Sequence, residues 1–203
     1  MSSLQQNAAA LKAALGQYPD FPKEGILFED IMPIFANPDL FKKLIDSFKQ
    51  HLEETFKDTK IDYIIGLESR GFLFGPALAL AMGCGFAPIR KPGKLPGECV
   101  QASYEKEYGS DMLEMQKHAI KKGSNVIVVD DIIATGGSAK AAGELLKMVG
   151  GNVLEYDFLM ELDFLKGRDK LDAPVFALLN GQEEALKKWI LQGKDKNKIL
   201  IYR

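Results

Sequence analysis

Two adjacent carboxylates, Asp130 and Asp131, lie between an apolar run and a glycine turn in the segment VIVVDDIIATGGSAKAA, residues 126–142. The β-branched residues before the acids predict a strand, and the alanine-rich residues after the turn predict a helix. In an open parallel sheet, ligands bind beyond the carboxyl ends of the strands. Two neighbouring carboxylates in an apolar setting need partners, and sugar hydroxyl groups or a bound cation would suit them.

The turn from Ala134 to Ser138 has the composition of a phosphate site. Gly136 and Gly137 let backbone approach an anion closely, while Thr135 and Ser138 add hydroxyl donors at the positive end of the next helix. A phosphate site beside a diol site predicts a phosphorylated pentose as the ligand. The alternative is an ordinary strand-to-helix connection with an acidic turn. Neither the P-loop pattern nor the GxGxxG dinucleotide pattern occurs in this segment.

The order of strand, loop and helix also occurs in residues 62–91. Arg70 follows the first strand of this unit, and three further cations, Arg90, Lys91 and Lys94, follow the second strand. Cations at the same sheet edge as the two acids predict a second anion site, suited to pyrophosphate. Solvated surface charge is the alternative, and the residues alone leave both open.

Two strand-loop-helix-strand units in one chain predict an α/β fold with a parallel-sheet core flanked by helices. The 203 residues are 46% hydrophobic, so a single globular domain can bury a full core. A net charge of -2 disfavours non-specific nucleic-acid binding. No apolar run reaches the length of a membrane span, no signal sequence is visible and only two cysteines occur, so a reduced cytoplasmic protein is expected.

A helix and a hairpin are predicted outside these two units. A helix is expected to begin at Asp39 and end at Phe56, with Leu44, Phe48 and Leu52 on its apolar face. His51 lies near the edge of this face and is expected to be structural. Residues around 99–120 predict a hairpin of polar strands that buries little apolar surface, which suits a mobile lid over a substrate.

Several segments together resemble one family, the adenine phosphoribosyltransferases among the type I phosphoribosyltransferases. The resemblance covers roughly residues 18–179, and its segments agree in order and spacing. They are FPKEGILFEDI, GLESRGFLFGP, IRKPGKLPG, the EYG tripeptide, VVDDIIATGGS and MELDFLKGRDKL. The chain departs from the family pattern at Glu29, where arginine is frequent, and at Glu68, where aspartate is usual.

The resemblance implies a reaction in which adenine and phosphoribosyl pyrophosphate (PRPP) give AMP and pyrophosphate. It implies a catalytic role for Asp131 beside its ribose contact, and proton transfer at the purine for Glu107. The implied adenine-binding residues are Leu27, Phe28, Glu29 and Leu162. Those for ribose and its 5-phosphate are Asp130, Asp131, Ala134, Thr135, Gly136, Gly137 and Ser138. Those for pyrophosphate are Arg70, Arg90, Lys91, Lys94 and Tyr108.

For several of these residues, an ordinary structural role is an alternative to the functional one. Leu162 and Phe28 could be ordinary packing residues, and Glu107 could be one exposed acid among many. A phosphoribosyltransferase for another base is a rival function. A PRPP sensor that controls transcription is a second rival, although no basic helix-turn-helix segment is visible.

The resemblance also implies an organisation and a set of partners. Residues 1–180 are expected to form one domain, with a hood at about 18–37 and a hairpin lid at about 95–118, and residues 181–203 are an extension of unknown role. The implied cofactor is Mg²⁺, held mainly by PRPP, pyrophosphate and water with no protein ligand expected. A homodimer is implied, with neither nucleic acid nor membrane as a partner.

Overall fold

A computed structural model describes residues 3–21, 27–105 and 110–181 of the chain. Its α-helices are α1 (Ser3–Ala13), α2 (Met32–Ala36), α3 (Pro38–Thr55), α4 (Gly75–Met82) and α5 (Gly137–Val149). Its strands are β1 (Gly16–Pro19), β2 (Leu27–Asp30), β3 (Tyr63–Leu67), β4 (Gly85–Ile89), β5 (Cys99–Glu105), β6 (Ser110–Gln116), β7 (Asn125–Ile133), β8 (Asn152–Glu161) and β9 (Val175–Asn180). Among these residues, no helix combines the length and apolar character needed to span a membrane.

The core is a five-stranded parallel sheet in the order β4-β3-β7-β8-β9, which confirms the predicted fold class. β7 lies at its centre, and alternate residues of this strand face different sides. Ile127 and Val129 pack in a cluster with α1, α3 and α4, whereas Val126 and Val128 pack in a second cluster with α5. Burial on both faces explains why β7 is a continuous apolar run.

Helix α3 differs slightly from its predicted bounds. It begins at Pro38, and its N-cap is Asn37, whose side-chain oxygen accepts hydrogen bonds from the backbone N–H groups of Asp39 at 3.0 Å and Leu40 at 3.2 Å. Asp39 was expected to start the helix, so the cap lies two residues earlier than predicted. Asn at an N-cap satisfies amides that have no partner within the helix.

Two small antiparallel pairs flank the core sheet. β1 pairs with β2 at the N-terminal side, and β5 pairs with β6 in the predicted hairpin. The hairpin buries more apolar surface than its polar sequence predicts, because Ala102, Leu113 and Met115 belong to the cluster that includes α5. Its base is therefore part of the core.

His51 has a partner that sequence spacing did not reveal. Its Nε2 lies 2.8 Å from Glu155 Oε2, and its ring stacks on Phe176 with 3.6 Å between centroids.

Asp157, two residues beyond Glu155 on β8, is fully buried. If it were ionised, both of its oxygens would lack a hydrogen-bond donor. Burial and the neighbouring Glu155 raise the pKa of Asp157 well above its usual range. A proton on Asp157 can be donated to Glu155.

We predict that Asp157→Asn makes the free energy of unfolding less dependent on pH. Folded Asp157 keeps a proton that the unfolded chain releases near pH 4, so wild-type stability should fall as pH rises, with a slope of at most about 1.36 kcal/mol per pH unit. The variant should therefore gain on the wild type in urea titrations as pH rises above about 4. Equal pH profiles would contradict the prediction. So would zinc raising the melting temperature of the wild type alone, because His51, Glu155 and Asp157 offer atoms within 4.8 Å of one another that could hold a metal ion.

Candidate active site

A cavity of about 450 Å³ opens at the carboxyl ends of β3 and β7. Its lining comes from the loop after β3, the end of β7, the start of α5, the loop after β4 and the hairpin. The lining residues are Leu67, Glu68, Ser69, Arg70, Lys91, Lys94, Tyr104, Leu113, Asp130, Asp131 and Ser138. Asp130, Asp131, Ser138 and three of the four predicted cations, Arg70, Lys91 and Lys94, therefore meet in one cavity. Its lining does not include Ala134, Thr135, Gly136, Gly137 or Arg90.

The two acids at the end of β7 are almost completely buried. Asp130 is 2% exposed and Asp131 is 4% exposed. The Nε of Arg70 lies 2.8 Å from Asp131 Oδ2, and the backbone N–H of Asp131 donates to Asp130 Oδ1 at 2.9 Å. Buried carboxylates are stable only with charged or hydrogen-bonding partners, and Arg70 supplies one for Asp131. The cation predicted for pyrophosphate is thus also a partner of the ribose site.

The glycine turn leads directly into α5, as the sequence predicted. Gly136 has a φ of 77°, which places it in the left-handed region, and α5 begins at Gly137. A Cβ atom on Gly136 would overlap the carbonyl oxygen of Gly167, and one on Gly167 would overlap that of Ala134. Two segments far apart in sequence are therefore in direct backbone contact. The N–H groups at the start of α5 are available to an anion at this turn.

Glu68 holds the cationic loop that follows β4. Its carboxylate accepts hydrogen bonds from Nε and a terminal nitrogen of Arg90, both at 3.2 Å, and from the backbone N–H of Lys91 at 3.0 Å. Burial opposes the charge on Glu68, but the hydrogen bonds from Lys91 and Arg90 lower its pKa overall. The Arg90 guanidinium also lies over the ring of Phe72, 5.8 Å from its centroid. Arg90 is therefore paired within the protein, whereas the exposed side chains of Lys91 and Lys94 line the cavity.

The predicted adenine residues lie outside this cavity lining. Phe28 on β2 is half-buried and meets Phe21 edge to face, with 5.3 Å between ring centroids. Glu29 reaches the end of β9, since a Cβ atom on Gly181 would lie 2.9 Å from its Oε2. Leu162 is fully buried in the core cluster that includes α3, as its packing alternative expected. Glu107 and Tyr108 lie outside the described residues.

Sequence reasoning assigned no role to several residues that shape the cavity. Leu113 and Tyr104 reach it from the hairpin, and Glu114 anchors the cationic loop without lining the cavity. Gly167 lies in the MELDFLKGRDKL segment and had no predicted role of its own. Strand alternation could have indicated Leu113 and Met115 as one buried face. No local signal distinguishes Glu114 from the other acids of the hairpin.

A second cavity, of about 390 Å³, lies at the ends of β8 and β9 and contains none of the predicted site residues. Arg168 forms a two-nitrogen ion pair there with Glu161, which is 3% exposed. Its lining residues are Glu161, Asp163, Lys166, Arg168, Asp169 and Asn180. The ion pair stabilises the segment after β8, which contains Gly167.

Comparisons with known proteins agree on one family. Residues 32–189 match a family model described as the phosphoribosyl transferase domain. Adenine phosphoribosyltransferase 1 of Saccharomyces cerevisiae is 72% identical over 186 residues, which cover 92% of this chain and all of the relative. The adenine phosphoribosyltransferase of Candida albicans is 63% identical over 89% of this chain and 95% of its own length.

Solved structures give the same result. The crystal structure of the Saccharomyces cerevisiae enzyme, in complex with an imino-altritol bisphosphate and adenine, has a TM-score of 0.85 and 71% identity. The match covers 86% of this chain and 99% of that one. The adenine phosphoribosyltransferase of Thermoanaerobacter pseudethanolicus has a TM-score of 0.80 and 44% identity, over 85% of this chain and 99% of that one. The chain belongs to the adenine phosphoribosyltransferases of the phosphoribosyl transferase family.

Proposed function

We propose that this chain transfers the phosphoribosyl group of PRPP to adenine, giving AMP and pyrophosphate in purine salvage. The observation that supports this activity best is the single cavity that joins buried acids, the start of a helix and cationic side chains. PRPP has three corresponding parts, namely a ribose diol, a 5-phosphate and a diphosphate.

The acids at the end of β7 are proposed to hold the ribose. As a nitrogen of adenine attacks the anomeric carbon, the bond to the pyrophosphate oxygen breaks and positive charge develops on the ribose ring. Asp130 and Asp131 would accept hydrogen bonds from the ribose hydroxyl groups and stabilise that charge in a site with little water. Glu107 is proposed, by the family resemblance, to take the proton that adenine loses.

The two anionic ends of PRPP are proposed to bind on either side of these acids. The 5-phosphate would accept hydrogen bonds from the turn formed by Ala134, Thr135, Gly136, Gly137 and Ser138, at the start of α5. The leaving pyrophosphate would bind Lys91 and Lys94, with Arg70 moving between Asp131 and the diphosphate. Arg90 would act partly through Glu68, which already holds it. Tyr108 remains a proposed contact from resemblance alone.

Mg²⁺ fits the chemistry of this cavity. Hard oxygen donors suit the ion, and the buried carboxylates of Asp130 and Asp131 offer oxygens beside the proposed diphosphate site. We propose that Mg²⁺ would be held mainly by the diphosphate and water, with the carboxylates of Asp130 and Asp131 adding negative charge to its surroundings. When bound, the ion neutralises charge on the leaving pyrophosphate.

The base is proposed to bind under the hood formed by β1 and β2. Phe28 would stack on adenine, since an aromatic face suits a planar purine, while backbone groups of Leu27 and Glu29 would read its edge. Leu162 would form the opposite wall. Because Leu162 is fully buried, it would support the base from beneath the surface unless the segment after β8 moves.

Two further properties are proposed on structural grounds. Leu80 is 85% exposed on α4 and Leu73, just before this helix, is 39% exposed, so this apolar surface is proposed to form a homodimer. Cys84 and Cys99 are both free thiols, which supports the proposed cytoplasmic location. Fractionation of cells that express the tagged chain would test the location directly.

Activity should depend on both acids at the end of β7. In an assay with Mg²⁺, PRPP and each nucleobase in turn, the wild type should form AMP from adenine and little product from guanine or hypoxanthine. Asp130→Asn with Asp131→Asn should lower kcat about 10²-fold or more, because charge stabilisation in the transition state is lost. Asp58→Asn makes the same change at an exposed position and should have no effect. Full turnover by the double variant would refute the assignment.

Phe28→Leu should raise KM for adenine and leave KM for PRPP unchanged. Stacking on an aromatic ring contributes about 1–3 kcal/mol, so an increase of roughly tenfold is expected in initial-rate measurements. Phe56→Leu is a matched control, because Phe56 is half-buried like Phe28 but lies at the C-terminal end of α3, outside the hood. A rise in KM for PRPP alone would place the base elsewhere.

Leu80→Glu should convert a dimer into a monomer, because a charge in an apolar interface is not solvated. Sedimentation equilibrium should give about twice the chain mass for the wild type and a single chain mass for the variant. Met148→Glu introduces the same charge at an exposed methionine of α5 and should leave the dimer intact. A monomeric wild type at all protein concentrations would exclude this interface.

A further inference from the structure

Glu114 is a buried charge that the proposed mechanism does not use. It lies in the middle of β6 and is 4% exposed. Its Oε1 accepts hydrogen bonds from the backbone N–H groups of Lys94 at 3.1 Å and Leu95 at 3.2 Å. Its Oε2 accepts from Nε2 of Gln101 on β5 at 3.3 Å. Three donors around one buried carboxylate indicate a built anchor, because a buried charge is stable only when its oxygens are satisfied.

The backbone of the same residue holds the other end of the loop. The N–H of Arg90 donates to the carbonyl of Glu114 at 3.0 Å, and the N–H of Glu114 donates to the carbonyl of Arg90 at 2.7 Å. Both ends of the loop formed by residues 90–95 are therefore hydrogen-bonded to Glu114 of the hairpin. Four hydrogen bonds from the main chain and side chain of Glu114 close this loop.

The loop held in this way carries the cations of the cavity. Lys91 and Lys94 line it, whereas Glu114 itself does not. Both lysine side chains are exposed. Lys91 Nζ lies 3.9 Å from Asp111 Oδ2 of the hairpin, but the position of each side chain depends first on where the backbone of the loop lies. Loss of the side-chain anchor would leave the amides of Lys94 and Leu95 without the acceptor that Glu114 provides, so this end of the loop would no longer be held in place.

We propose that Glu114 is a positioning residue that fixes the cationic loop to the hairpin and thereby sets the affinity for the diphosphate group. This role rests on the proposed function. It requires the correct reach of the carboxylate and an acceptor oxygen at the two amides, and it does not require the negative charge.

A comparison of two conservative variants separates reach from charge. Glu114→Gln keeps an acceptor oxygen at the amides of Lys94 and Leu95, and the side chain of Gln101 can turn its own oxygen toward the new amide. Glu114→Asp keeps the charge but draws the carboxylate back by one methylene. If Glu114 acts by position, the glutamine variant should resemble the wild type and the aspartate variant should not. A direct electrostatic effect on the lysines would give the opposite order.

Three measurements on the full chain test this role. Hydrogen exchange should accelerate at the amides of Lys94 and Leu95 in Glu114→Asp and remain slow in Glu114→Gln. Titration calorimetry with Mg²⁺ and pyrophosphate should show affinity about tenfold weaker for Glu114→Asp, which corresponds to about 1.4 kcal/mol. Initial rates should show KM for PRPP raised by a similar factor, with KM for adenine unchanged. Glu98→Asp is the control, because Glu98 is exposed, precedes the hairpin and pairs with Lys117.

Specific outcomes would overturn the role of Glu114. They are unchanged exchange at both amides in Glu114→Asp, unchanged pyrophosphate affinity despite faster exchange, or an equal rise in KM for adenine and PRPP. If the wild type forms no AMP, the proposed function fails by itself. The exchange rates and pyrophosphate titration would still report whether Glu114 positions the loop, so the two failures are distinguishable.

Discussion

Burial of two adjacent carboxylates at the end of the central strand is the constraint on which this site depends. Asp130 and Asp131 are at most 4% exposed, and like charges that close repel strongly outside water. Arg70 must therefore lie beside them, and its 2.8 Å contact with Asp131 places the loop after β3 against β7. A ligand that supplies hydroxyl donors or a cation would also reduce the repulsion between the two carboxylates. Structural stability and ligand binding thus use the same groups.

A second group of acids positions cations rather than binding substrate. Glu68 holds Arg90 and the amide of Lys91, and Glu114 holds the amides of Lys94 and Leu95. Neither glutamate would be an obvious member of an anion-binding site, since its charge has the same sign as the ligand. The arrangement is physically reasonable because each acid satisfies donors at the edge of the cavity, which leaves the lysine side chains to face the anion. The cationic loop is thus held by two acids, the half-buried Glu68 and the buried Glu114.

The fold was predictable because its strongest signals are local. The apolar run before Asp130 could only be a strand buried on both faces, and the glycine turn before the alanine-rich segment could only start a helix there. The acids and the lysines of the loop were predicted at one sheet edge, and the structure brings them into one cavity with Ser138, the last residue of the turn. Order along the chain and the carboxyl-end rule for parallel sheets were sufficient for this.

Contacts between distant residues were not predictable in the same way. His51 and Glu155 are separated by 104 positions, and their hydrogen bond depends on how α3 lies across β8. The pairing of Arg90 with Glu68 was missed for the same reason, since it depends on parallel β3 and β4 ending together. The hairpin read as polar because its buried residues, such as Leu113 and Met115, are few and lie on one face near its base. Tertiary context decides each of these cases.

The backbone contact between Gly136 and Gly167 has a consequence for the order of events at the site. The turn proposed for the 5-phosphate cannot shift without displacing the segment after β8, because neither glycine leaves space for even one carbon atom between them. That segment also begins at Leu162, whose amide bonds to Ile133 at the end of β7. Binding of a phosphate at the proposed turn would therefore restrict movement of the segment that begins at Leu162, which is part of the proposed adenine site. If a sugar phosphate binds first, the affinity of the site for the purine should rise. Thermodynamic reciprocity then requires the bound purine to raise the affinity for the sugar phosphate by the same factor.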